Sequence, residues 1–136
     1  MKLVIDGAPR TKKNSGRRKY SFRQKRTFSV SSEAHESWAI RAAYQLREAW
    51  RGRAPLQGPL HVRADIYRDA LRGDLVGYLQ AIGDVLEVAT PKASLTTRAM
   101  KGGVILDDDQ IESWDGSRRL KDAKRPRVEI YIEELA

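Results

Sequence analysis

The sequence predicts an α+β fold in a single domain, on three observations. Two segments repeat their apolar residues every three or four positions, the period of a helix. Other segments alternate apolar and polar residues, the period of a strand, so the elements run β-(β)-α-β-α-β-β-β. No internal repeat interrupts that order, and 136 residues are enough to bury one core.

Lys2 to Ile5 read as a short strand, stopped by Asp6-Gly7 and Pro9. TKKNSGRRK follows as a polar loop with turn chemistry at Asn14-Ser15-Gly16, and YSFRQKRTFSV alternates well enough for one or two short strands. Ser31 and Ser32 are N-cap candidates for the first helix, with Glu33 and Glu36 complementing its dipole. Its apolar stripe is Trp38/Ala39, Ala42/Ala43, Leu46 and Trp50, and Gly52 and Pro55 end it. PLHVRADIYR then sends Leu60, Val62, Ala64 and Ile66 to one face of a half-buried strand.

The second helix spans about Leu75 to Ala89, with Asp74 placed to cap it and Leu75, Tyr78/Leu79, Ile82, Val85/Leu86 and Ala89 inward. Gly77 and Gly83 inside it each cost roughly 1 kcal/mol relative to Ala, which suggests close approach of another backbone, a partner subunit or a nucleic-acid strand, with packing against a strand of this chain an equally simple reason. TPKASLTTRAMKGG, residues 90–103, reads as a mobile basic loop. IESWDGSRRL reads as a hairpin turning at Asp115-Gly116, and Val128, Ile130 and Ile132 mark a last strand.

Charge narrows the partners. The formal net charge is +8, yet residues 1–30 hold ten of the 26 Lys and Arg residues and a single acid, Asp6. The rest of the chain is nearly balanced, so the excess lies in one N-terminal segment that suits a polyanion, nucleic acid above all. Tyr20, Phe22 and Phe28, interleaved with those bases, can stack on unpaired bases or face a core. The expected DNA contacts are Arg10, Lys12, Lys13, Asn14, Arg17, Arg18, Lys19, Arg72 and Lys101. The absence of cysteine excludes disulfides and cysteine-based zinc sites, and His35 and His61 are isolated from each other and from the acids. No run of 18 apolar residues and no signal-like N-terminus occur, so a cytoplasmic protein without a membrane partner is expected. No P-loop, GxSxG or EF-hand spacing is present.

The acidic run Asp107-Asp108-Asp109 follows Val104-Ile105-Leu106, and like charges so close need a positive partner. Magnesium, which takes one or two carboxylates plus waters and phosphate oxygens, is one candidate; an arginine or solvent are the others. Asp74 is the further acid expected to converge on such an ion.

Two stretches carry a family resemblance. GDLVGYLQAIGDVL is similar to the D-x-D-N…K…D-x-L helix of the RusA-type Holliday-junction resolvases, common in phages and prophages, with Asp74 at the first acid and Asp84-Val85-Leu86 at D-x-L. LDDDQI resembles their D-D-x-Q element, with Asp107 and Asp108 at its acids and Gln110 at its glutamine. IDGAPRTKKN and SSEAHESW resemble the family's opening loop and the start of its first helix. The resemblance implies a mixed β-sheet with two main helices, a homodimer, and Mg²⁺-dependent (or Mn²⁺-dependent) cleavage of branched DNA. Asp74, Asp107 and Asp108 are then catalytic, and Asp74, Asp107, Asp108 and Asp109 hold the metal. Val76, Gly77 and Gln80 stand where the family has its second acid, its asparagine and its lysine. Asp69 or Asp109 could replace the acid, and Lys92, Arg98 or Lys101 the lysine. Two other readings stay open: a non-catalytic branched-DNA-binding protein on the same fold, and a basic RNA-binding protein.

Overall fold

The strand with strict alternation is the organiser of the fold. A computed structural model describes residues 1–11, 17–21, 26–30 and 33–136, the two short central segments by their backbone pairing alone. In it β4 (Leu60–Arg68) pairs antiparallel with β7 (Arg127–Glu134), which pairs antiparallel with β1 (Lys2–Asp6). On its other side β4 pairs in parallel first with β5 (Ile111–Ser113) and then with β6 (Arg118–Lys121). The sheet is therefore mixed. A separate two-stranded sheet joins β2 (Arg17–Ser21) and β3 (Arg26–Val30) antiparallel, so YSFRQKRTFSV contributes to two strands. The expectations for Lys12, Lys13, Asn14 and the caps Ser31 and Ser32 concern residues outside the described ones.

Helices α1 (Glu33–Ala49) and α2 (Leu75–Leu86) cover one face of the sheet. The predicted stripe of α1 is buried from Trp38 to Trp50, and Leu60, Val62, Ala64 and Ile66 are fully buried beneath the helices. Ile5, Ile82, Leu86, Ile105 and Ile130 complete the same cluster. The helix expected to reach Ala89 stops at Leu86, because the chain has a better partner there. Gly102, Val104 and Ile105 donate backbone hydrogen bonds to Val85 O and Leu86 O, and Gly103 donates to Glu87 O. They satisfy carbonyls that a helix end leaves open.

Two expectations need correction. The segment 90–103 is not a plain loop: Ser94 caps a short helix, α3 (Leu95–Ala99), and Arg98 donates to Pro91 O at 2.6 Å and Ala93 O at 3.1 Å. The Asp115-Gly116 turn makes no hairpin, since β5 and β6 both lie along β4 and not against each other. Gly116, at φ +88°, lets the chain step out between them, and Ser117 Oγ accepts from Ala64 N at 2.9 Å to fill the gap in the ladder.

The opposite face of the sheet is polar and held by cross-strand pairs. Arg63 stacks on Tyr131 at 4.0 Å and Arg127 on Tyr67 at 3.9 Å, each pair directly opposed across β4 and β7. Glu129 accepts from Arg127 Nε at 2.8 Å and from Tyr131 Oη at 3.1 Å, with Lys2 Nζ 3.1 Å away. These donors, Arg127 first, pull its carboxyl down to about 2. A carboxylate with a lowered folded pKa stabilises fully above its unfolded value near 4.5 and loses that contribution as pH falls towards 2. Allowing for solvent screening, denaturant melts at about pH 5 and about pH 2.5 should show a Glu129-dependent loss of about 1–2 kcal/mol. Glu129→Gln should remove that part of the pH dependence.

Candidate metal centre and basic cleft

The acidic run becomes a built structure at the C-terminal end of α2. Asp107 caps a one-turn 3₁₀ helix (Asp108–Gln110), its Oδ1 accepting from Asp109 N at 2.9 Å. That bond holds the Asp107 carboxyl below the usual range, while the Asp107 charge pushes Asp109 up. Gln110 clamps the turn from outside. Its Oε1 accepts from Leu106 N and Asp107 N at 2.8 and 2.9 Å, and its Nε2 donates to Leu56 O and Gly58 O at 3.0 and 2.9 Å. Gln110→Ala should therefore lower stability by about 2 kcal/mol, four modest hydrogen bonds partly replaced by water. Gln110→Glu should do at least as much damage in a thermal melt, because its second oxygen faces two carbonyls.

The clamp aims Asp108 at the helix. Its backbone N–H donates to Glu87 Oε2 at 2.9 Å, and its carboxylate lies over Gly83. A methyl group at Gly83 would sit 3.5 Å from Asp108 Cβ and 3.7 Å from Trp114, so anything longer would push the turn away. The close approach expected at Gly83 is thus made by this chain's own turn. At Gly77 it is made by Thr11, which a methyl group there would meet at 3.1 Å. Asp84 in the last turn of α2 and Glu87 at its C-cap join Asp108 with one oxygen each within 4.8 Å of the others. Burial against the helix end is the largest influence on Asp108, followed by the Glu87 charge, and together with Asp107 and Asp84 they push its carboxyl up to about 6. Lys101 tempers the cluster, donating to Glu87 Oε1 at 2.8 Å and Asp84 O at 3.1 Å.

The predicted residues divide accordingly. Among the described residues, only Asp108 of the four expected ligands enters a group able to hold a metal. Asp107 is spent on the turn, and Asp109 is exposed beside it. Asp74 caps the other end of α2, its Oδ1 accepting from Val76 N at 3.1 Å, about 15 Å from Asp84 along the helix axis. Asp84 and Glu87 were not expected as ligands. Their signal was the i, i+3 spacing at the end of a helix whose last turn carries no base. Three oxygen donors suit a hard divalent cation such as Mg²⁺ or Mn²⁺.

Of the expected DNA contacts, Lys101 is engaged by the cluster, whereas Arg10 and Arg72 line an open cleft of about 730 Å³ near the other end of α2. Arg17, Arg18 and Lys19 lie in β2. No helix among the described residues is long and apolar enough to cross a membrane. No protein-family model matches this sequence, and no curated protein matches it.

Proposed function

We propose that this chain is a structure-selective, Mg²⁺-dependent endodeoxyribonuclease acting on branched DNA as a homodimer, as its resemblance to RusA-type resolvases implies. The observation that carries this reading is the oxygen-only cluster Asp84, Glu87 and Asp108, formed where LDDDQI meets the D-x-L end of α2. Carboxylates at a helix C-terminus face the negative end of its dipole, so this arrangement is stabilised by a cation. A bound Mg²⁺ would supply a polarised phosphoryl oxygen and an acidified water. Asp84, Glu87 and Asp108 would hold it, and Lys101 would fix Glu87 and balance part of the charge. The basic N-terminal segment would hold backbone phosphates, which position a strand without reading its sequence.

A second reading, a branched-DNA-binding protein without catalysis, is favoured by one observation. Asp74 stands apart from the cluster, and Val76, where the family carries an acid, is 61% exposed and makes no site with it. Cleavage of an end-labelled four-way junction beside a linear duplex, with millimolar magnesium or with EDTA, separates the two. Paired, magnesium-dependent nicks on the junction support the enzyme, and tight binding without cuts supports the binder. Preference for single-stranded or A-form RNA over the junction would replace both.

A further inference from the structure

The alternation of β4 sends Leu60, Val62, Ala64 and Ile66 into the core, and one step further the same phase sends Arg68 inward. Arg68 is only 6% exposed, a charge almost never buried so deeply without a partner. Among the described residues it forms no ion pair. Its Nη1 donates to Pro9 O at 3.0 Å and to the Tyr78 hydroxyl, and its Cζ lies 4.9 Å from the centre of the Tyr78 ring. Its Nε has no hydrogen-bond partner among the described residues. The asymmetry with Asp65, the other deeply buried charge on β4, is informative, since Asp65 is matched by Arg63 at 2.9 Å.

What surrounds Arg68 is more positive charge. It lines the cleft of about 730 Å³ together with Arg10, Arg72, Lys124 and Arg125. The two acids there are already engaged at the rim: Asp6 lies 3.3 Å from Arg125 and Asp69 3.6 Å from Arg72, both pairs exposed and weak. Arg68 also reaches a smaller adjoining hollow lined by Arg10, Arg72 and Gly73. A guanidinium fixed by a carbonyl and a phenol, and lining a cleft with a basic rim, is a preorganised receptor for an oxyanion.

The geometry points to a phosphate-binding pocket at Arg68, with Arg10 and Arg72 on its rim, that receives one backbone phosphate of a nucleic-acid strand. It rests on the nucleic-acid part of the proposed function but not on cleavage. The hollow is lined by Gly73 and Tyr78 near the start of α2 and the acidic cluster lies at its C-terminal end, so a strand held at Arg68 would be anchored away from the metal-binding carboxylates.

The test uses the full chain and two probes. In thermal melts at matched ionic strength, inorganic phosphate should raise the wild-type melting temperature above that in chloride, and Arg68→Met should lose this increment. In fluorescence anisotropy with a labelled four-way junction, the slope of log K against log [KCl] should become shallower by about 0.9 in Arg68→Met, the change expected when a single phosphate is no longer neutralised. Arg10→Gln, at an exposed position that leaves the core untouched, should reduce both effects in part and decides the matter if Arg68→Met does not fold. Unchanged slope and unchanged phosphate increment in a folded variant would overturn the pocket. A lost phosphate increment with an unchanged DNA slope would overturn the strand as its ligand and leave a free phosphate. A wild-type protein that binds no nucleic acid yet keeps an Arg68-dependent phosphate increment would sink the nucleic-acid reading and, with it, the strand as ligand.

Discussion

Asp108→Asn should abolish the proposed magnesium-dependent cleavage of the four-way junction while leaving junction binding within a few-fold of wild type. The expected loss in rate exceeds about 100-fold, since even groups that only orient a metal ligand reach that scale. The informative comparison is with the other acids. Asp84→Asn and Glu87→Gln should fall with Asp108→Asn, because the three share one cluster. Asp74→Asn should cleave nearly as well as wild type, its carboxylate being a helix cap at the far end of α2. If Asp74→Asn is as inactive as Asp108→Asn, the active site follows the family pattern and the cluster at the end of α2 is not its metal centre. Without a divalent cation the asparagine variant should also be the more stable protein above about pH 6. There the wild type must ionise a carboxyl that its surroundings hold protonated up to about that pH, so its stability declines as pH rises from about 4 to about 6.

Gly102→Ala is the substitution with the largest expected effect on the fold. A Cβ there would lie 2.7 Å from both Leu46 Cβ and the carbonyl oxygen of Val85, the second a backbone atom with nowhere to go. Overpacking of this kind costs about 3 kcal/mol. The damage would spread along a defined route. Gly102 begins the run that closes the end of α2, and Lys101 beside it reaches Glu87 and Asp84 O. A variant that still folds should therefore bind divalent cations more weakly than wild type in a calorimetric titration, although no ligand has been changed. Equal affinity in a destabilised variant would show that the cluster does not depend on this closure.

What the sequence showed well was what depends on near neighbours. The stripe from Trp38 to Trp50 and the alternation from Leu60 to Ile66 are patterns within one element, and both are buried as read. The mixed sheet and the order of its elements agree with the α+β expectation. The misses share a cause in tertiary structure. The Asp115-Gly116 dipeptide favours a hairpin locally, but β4 offers β5 and β6 an open edge with room for both. The helix at Leu95–Ala99 is one turn of Thr-rich sequence with little propensity, secured by Ser94 and Arg98. The metal-capable group was hidden because its members come from a helix end and a turn 21 residues later, joined by the Asp108–Glu87 bond. Arg68 was legible in the phase of β4, as the charged residue that the alternation sends inward after Ile66.

The last strand in the chain lies inside the sheet, between the first strand and β4. β1 has no sheet partner but β7 among the described residues, and Lys2 meets Tyr131 across nearly the whole chain. On a ribosome, therefore, the N-terminal strand waits for the C-terminal one. Closing so long a loop is entropically unfavourable and is repaid only when the sheet is complete. Refolding should accordingly be slow for a domain of this size, with one dominant phase in which β1, β4 and β7 gain hydrogen-exchange protection together.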